Sequence, residues 1–392
     1  MKETILFFIF IFIQSCSIDK RTVEQDKSVE IIDCKEEYIS LADSLTTHFI
    51  PLETRSECLI GSISEIQIVN NLIYILEGKK SEDLFVFDLD GKFITKVGKK
   101  GNGPEDFAMI NSFDIDTTNN QIVISDKYRK RMLFFDLKTY RFKYAINNDF
   151  SYTNFISMGN KKLSFWGCNG FRNPQKRADS NLYYIQTTDS SLAPESVSLK
   201  ADFTTPYTTM VKPGKTHLYR TGEKGIYAYH HLFPDVWQYT DDGQLIKKYH
   251  IELENFKFLD LNFAKGEASL SGVNRDYTKA LDRSDYITGY RIDECSNLIC
   301  FSIQKKLMPV QAIYNKKQKK GYLFSLKDYY RSMNLGMLMF PAGSTNDCII
   351  GVISMNEDME HVQKDMQLYQ IVKDKTLDDN PIICLYKWGK EL

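Results

Sequence analysis

The sequence predicts an all-β protein: a six-bladed β-propeller of four-stranded antiparallel blades, with an N-terminal strand closing the last blade and one helix inserted near the C-terminus. Three observations predict it. Two stretches repeat at a shift of 48 residues, which lays Phe87-Asp88 on Phe135-Asp136. Short runs of strand formers alternate with turn residues, in a chain that is 43% hydrophobic and 13% aromatic, a composition of packed strands and not of disorder. A lone strand-like run, His48 to Leu52, precedes the first repeat unit while the last unit is one strand short.

Ahead of that architecture lies a leader. Met1-Lys2-Glu3 is followed by the apolar run Ile5 to Ile13 and then by Gln14-Ser15-Cys16. A charged start, a short apolar core and a small residue describe a secretory signal over residues 1–15. The core is far shorter than the roughly 20 residues a membrane-spanning helix needs. The cysteine after the small residue resembles a bacterial lipobox, which makes Cys16 the lipid-bearing mature N-terminus. Residues 16–30 then read as a tether and 31–392 as the propeller. The location this implies is the bacterial envelope, as an outer-membrane lipoprotein facing either the periplasm or the outside.

The first unit runs through Ile66–Val69, Leu72–Ile75, Leu84–Asp88 and Phe93–Val97, and the second through Phe113–Asp116, Gln121–Ile124, Met132–Asp136 and Tyr140–Tyr144. Four-stranded units at a period of about 40 to 50 residues belong to propellers. Leu182–Ile185, Val236–Tyr239 and Val310–Tyr314 supply third strands of later units, and Cys348–Ile353 with Pro381–Trp388 supply the sixth. Two insertions interrupt the rhythm. Asn255–Asp285 separates units four and five, while Asn356–Lys373 places Met359, Val362, Met366, Tyr369 and Val372 at helical spacing, predicting an amphipathic helix packed on the propeller. The strand His48–Leu52 should pair beyond Cys348, with Pro51 tolerated on an outer edge because it need not donate to a ladder.

Composition also excludes. Fifty basic residues balance 51 acidic ones, so no global field favours nucleic acid as a partner. Seven cysteines after Cys16 are spread along the chain, which is not a disulfide framework. Gly98-Lys99-Lys100-Gly101-Asn102-Gly103 lacks the ending and the helix of a phosphate loop, so its glycines are expected to shape a crossover between blades. No catalytic residue, cofactor or metal ligand is assigned.

The segments Phe49–Thr54, Leu59–Ile63, Phe85–Asp88 with Gly91-Lys92-Phe93, Gly98–Phe107 and Asp379–Ile382 with Tyr386-Lys387 resemble the six-bladed, NHL-repeat-like propeller lipoproteins of Bacteroidota. The resemblance covers nearly the whole mature chain. It implies fold and location, and it brings no activity with it.

In such a fold the loops between second and third strands share a face with the loops between blades. Here they are the longer ones, and function gathers in long loops on a rigid scaffold. The candidate ligand residues on that face are Lys99, Lys100, Tyr128, Arg129, Arg131, Arg172, His230 and His231. Guanidinium forks suit anionic groups and aromatic faces suit sugars. The expected function is therefore a binding or interaction module for an anionic or glycan-like ligand. Two alternatives stand beside it: a metal-assisted hydrolase or lyase using the axial channel, and a structural partner within an envelope complex that docks through the 359–372 stripe. Partners are thus the membrane, through lipid, and an unknown ligand or envelope protein.

Overall fold

The chain enters as strand β1 (Glu30–Glu36), passes the single turn α1 (Leu41–Ser44) and strand β2 (Leu45–Pro51), and only then builds its first complete blade. The computed structural model describes residues 29–78, 81–148, 152, 154–159, 163–166, 185–198, 218–221, 225–231, 233–240, 244–258, 285–305 and 308–389.

Turns decide where the strands stop. Asn70 and Asn71 both adopt left-handed backbone, φ 52° and 61°, and join β3 (Ile63–Val69) to β4 (Leu72–Glu77). A two-residue loop of that kind matches the twist of its strands. The hairpin from β5 (Leu84–Asp88) to β6 (Phe93–Val97) is closed by Asp88, whose Oδ1 accepts Asp90 N at 3.0 Å and Lys92 N at 2.8 Å.

The same device returns in later blades. Asp136 accepts Lys138 N at 3.0 Å and Thr139 N at 2.9 Å, and Asp189 accepts Ser191 N at 2.8 Å and Ala193 N at 2.9 Å. Thr240 Oγ1 accepts Gln244 N at 3.1 Å and Asn315 Oδ1 accepts Gln318 N at 2.9 Å. In every case a short side-chain oxygen closes the turn between a blade's third and fourth strands. The 48-residue repeat seen in the sequence is the trace of this requirement.

Blade two is β7 (Ile110–Asp116), β8 (Gln121–Asp126), β9 (Arg131–Asp136) and β10 (Phe142–Asn147), and blade three is β11 (Asn154–Ser157), β12 (Leu163–Trp166), β13 (Ile185–Thr188) and β14 (Pro194–Ser198). Blade four is β15 (Leu218–Thr221), β16 (Gly225–Tyr229), β17 (Asp235–Tyr239) and β18 (Leu245–Leu253). Blade five is β19 (Gly289–Glu294), β20 (Leu298–Lys305), β21 (Met308–Asn315) and β22 (Lys320–Ser325), followed by helix α2 (Leu326–Met333). Blade six takes β23 (Phe340–Ser344), β24 (Ile349–Ile353) and β25 (Ile382–Trp388) from the C-terminal part and β2 from the N-terminal part. The expected closure is present, since β2 runs antiparallel to β25 from Leu45 opposite Trp388 to Pro51 opposite Ile382.

One strand was not foreseen. β1 lies parallel to β18 and to β22 and fuses blades four and five into a nine-stranded sheet. Glu30, assigned to the tether by sequence, already pairs with Tyr249. Ile32 and Cys34 are fully buried there.

The C-terminal insertion holds a helix, but in pieces: a 3₁₀ turn over Glu357–His361 and a short α3 (Tyr369–Val372), in place of one continuous amphipathic helix. Tertiary packing overrode periodicity. Leu368, which lies off the expected stripe, is completely buried, while Val362 and Val372 are buried and Met359, Met366 and Tyr369 pack partly against the same core. The stripe therefore faces the propeller. Neighbouring blades bury apolar faces against one another, with Tyr74, Phe107, Phe113 and Phe135 between blades one and two and Tyr229, Tyr249, Tyr290 and Tyr314 between blades four and five. Among the described residues, Cys34, Cys58, Cys295, Cys300, Cys348 and Cys384 are free thiols, and Cys384 is buried, its pKa pushed up by that burial. Cys168 and the insertion at 259–284 lie outside the described residues. No described helix is long and apolar enough to cross a membrane.

Candidate functional site

The long-loop face spends much of its chemistry on itself. Arg129 donates from Nη1 to Asp106 O at 2.9 Å and from Nη2 to Asn102 Oδ1 at 3.1 Å and to Gly101 O. Arg131 donates to Pro104 O at 2.9 Å and to Asp106 O, and its Nε lies 3.5 Å from the fully buried Asp126. Both forks therefore clamp the crossover loop between blades one and two. Asp106 organises the same loop by accepting Gly103 N at 2.7 Å, and a Cβ on Gly101 would fall 2.3 Å from Asp106 Oδ2. The glycines of Gly98–Phe107 have the crossover role expected of them.

The other residues named by sequence divide. Lys100 Nζ is 2.9 Å from Glu82 and Lys99 Nζ 3.7 Å from Asp106, both lysines remaining exposed. Tyr128 is 73% exposed. His230 and His231 stack on each other with ring centroids 4.7 Å apart, and both are buried. Burial holds the His231 imidazole down at about 4. Arg172 lies outside the described residues.

The structure brings a different set together on the axis. First strands of the blades surround a cavity of about 780 Å³ whose lining includes Glu65, Gln67, Asp114, Asn154, Arg220, Arg291 and Asp293. Its rim includes the short turns at Asn70–Asn71, Thr117 and Thr345–Cys348, so it reaches the face opposite the one the sequence nominated.

Two arginines organise the channel. Arg220 Nη1 and Nη2 each lie 3.3 Å from an Asp114 oxygen, and Nη2 donates to Ser157 O at 2.7 Å. Asp114 also accepts Ser157 N at 2.7 Å, so blades two, three and four are tied by one charge pair. The Asp114 carboxylate raises the Arg220 pKa. Arg291 meets Asp293 at 2.8 Å and donates to Ala342 O in blade six. Burial pulls its pKa down, but Asp293 outweighs it and the net direction is up. Glu65 accepts the Ser112 hydroxyl at 2.9 Å, and Gln67 donates to Phe113 O at 3.1 Å. Among the described residues, no group of three or more His, Cys, Asp or Glu is arranged to hold a metal ion.

Sequence reasoning missed this set, although a trace was present. Glu65-x-Gln67, Asp114-x-Asp116 and Arg291-x-Asp293 put polar residues two apart in first strands, with an isoleucine between them. Residues two apart on a strand share one side. The trace identifies a polar seam without saying that the seams of several blades converge.

A six-bladed beta-propeller family profile matches residues 20–352. The chain belongs to this family. The segments that carry the resemblance meet in space. Asn380, 1% exposed, accepts Ile60 N at 2.8 Å and donates to Glu53 O at 2.7 Å and Cys58 O at 2.8 Å. It thereby locks the Phe49–Thr54 and Leu59–Ile63 segments onto the start of β25. Gly91 turns at φ 80° against the same segment, where a Cβ would sit 2.2 Å from Pro51 O.

Among solved structures, the chain is similar to a candidate exported protein of Bacteroides fragilis, with a TM-score of 0.81 and 22% identity, covering 92% of this chain and 100% of that one. It is also similar to a member of the DUF4221 family from Bacteroides vulgatus, with a TM-score of 0.54 and 9% identity over 89% of this chain and 100% of that one. At these identities the likeness is one of fold. No curated protein matches the chain.

Proposed function

We propose that the mature protein is an envelope-anchored binding module that holds a small anionic or glycan-like ligand in its axial channel, attached to the membrane through lipid on Cys16. One observation carries the reading of the site. Polar and charged side chains from successive blades, Glu65, Gln67, Asp114, Asn154, Arg220 and Arg291, line one cavity of about 780 Å³. That size suits a ligand of one or a few rings. Arginine recognises a carboxylate or sulfate, while amides and carboxylates pair with sugar hydroxyls. On the long-loop face the Arg129 and Arg131 forks are committed to backbone carbonyls, and in the channel Arg220 and Arg291 are paired with Asp114 and Asp293, so what favours the channel is the convergence of polar groups from successive blades on one cavity. Export is supported by the Cys16 leader and by the exported description of the Bacteroides fragilis relative.

A glycan and metabolite panel screened calorimetrically against the chain starting at Ser17 tests this reading. Glu65→Gln keeps the shape of the channel and changes its charge, so it should alter the affinity of a hit by roughly tenfold, the value of one charge-assisted hydrogen bond. Lys99→Glu with Lys100→Glu should leave it unchanged. The opposite pattern moves the site back to the long-loop face.

A further inference from the structure

Where β1 enters the ring sets which face of the propeller a lipid anchor holds toward the membrane. β1 is parallel to β22 and pairs Cys34 with Gly321, so Asp33 lies beside Lys320, the first residue of β22. The three residues before it, Glu30 to Ile32, continue past that end by roughly 10 Å, at about 3.3 Å per residue. They still pair with Tyr249 to Ile251 of β18, so their course is fixed. The chain thus emerges beside the turn at Lys316–Lys319 that joins β21 to β22. Antiparallel alternation places this turn on the same face as the β3–β4 and β23–β24 turns, whose residues rim the axial cavity.

That turn is basic: Lys316-Lys317-Gln318-Lys319-Lys320. Lys316 is committed to the buried Glu294 at 2.7 Å and Lys320 to Glu37 at 2.8 Å. Lys317 and Lys319 are exposed, and among the described residues no ion pair engages either. From Cys16 to the start of β1 there are 13 intervening residues, a chain that extends to roughly 45 Å at most. An anchor on so short a tether keeps its point of attachment close to the bilayer.

We propose that the short-turn face is the membrane-proximal face and that Lys317 and Lys319 on it contact the phosphate headgroups of lipid. The orientation rests on the lipid-anchor reading above; the headgroup contact does not need the lipid. Two exposed lysines beside a single anchor supply a second signal of the kind that stable membrane attachment requires, acting locally against the acidic Glu30 and Asp33 of β1. The cavity mouth then opens toward the membrane, and the long-loop face with Tyr128 and Lys127 points away from it.

The chain starting at Ser17, which carries no lipid, should sediment at low salt with vesicles of phosphatidylethanolamine and phosphatidylglycerol and not with vesicles of phosphatidylcholine. Lys317→Glu with Lys319→Glu should weaken that partition by roughly tenfold or more. Lys127→Glu with Lys130→Glu, on the opposite face, should leave it unchanged. All four lysines are exposed, so the variants should melt like the parent. Equal binding by the 317/319 variant, or an equal loss in the 127/130 variant, overturns the contact. The anchor is read separately, by labelling cells with radioactive palmitate: label that persists in Cys16→Ser removes the anchor and leaves the vesicle result standing.

Discussion

Arg220 of blade four reaches Asp114 of blade two at 3.3 Å, across the backbone of Ser157 in blade three. Asp114 is 3% exposed, so its charge is taken out of water and is compensated by this partner and the Ser157 amide. The channel is therefore a structural joint as well as a cavity.

Breaking that joint from one side should be costly. Arg220→Ala strands a buried carboxylate and is expected to lower unfolding free energy in urea by about 3 kcal/mol. Arg220→Gln combined with Asp114→Asn should recover at least half of the loss. No recovery would show that the pair is not coupled.

The seat of β1 admits no side chain at Gly321, where a Cβ would lie 2.3 Å from Asp33 O and 2.5 Å from Cys34 Sγ. Gly321→Ala is expected to cost about 2 kcal/mol through overpacking. Amide exchange should accelerate at Ile32 to Cys34 before it does in β2. Uniform acceleration across the propeller would argue that β1 is not a separable element.

Asn380→Ala removes the acceptor of Ile60 N and the donor to Glu53 O and Cys58 O in a buried site. Leaving such groups unpaired costs about 3 kcal/mol. Asn380→Asp keeps the acceptor but turns a buried carboxylate oxygen toward the Glu53 and Cys58 carbonyls, so its melting temperature should fall at least as far as that of the alanine variant.

His231 gives a pH dependence whose sign is fixed. Burial lowers its pKa from 6.5 to about 4, so the folded protein keeps the ring neutral in a range where the unfolded chain binds a proton. Its contribution is complete above pH 6.5 and is lost as pH falls from there toward 4, up to about 3 kcal/mol. Melting temperatures between pH 7 and 4 should decline less steeply in His231→Gln; an unchanged slope would assign the acid sensitivity elsewhere.

Much of the architecture was legible along the chain because its causes are local. Turn-closing residues such as Asp88 and Asp136 act within four positions of themselves, and alternating apolar residues report the faces that neighbouring blades bury. The pairing of His48–Leu52 with the last blade followed from a count of strands. Where a feature arises between distant segments, the local pattern is silent. Arg129 and Arg131 look like free forks, and only the folded loop shows that carbonyls of Gly101, Pro104 and Asp106 occupy them.

The four-stranded blade and its period were thus determined by the sequence itself, since hydrogen bonding and burial at those positions depend on neighbours a few residues away. Tertiary structure alone decided that β1 stitches blades four and five, that Asn380 locks the two chain ends, and that polar seams far apart in sequence converge on the axis. The physical reason is distance along the chain: Arg220 and Asp114 are 106 residues apart, and no local propensity encodes a contact made by closing a ring.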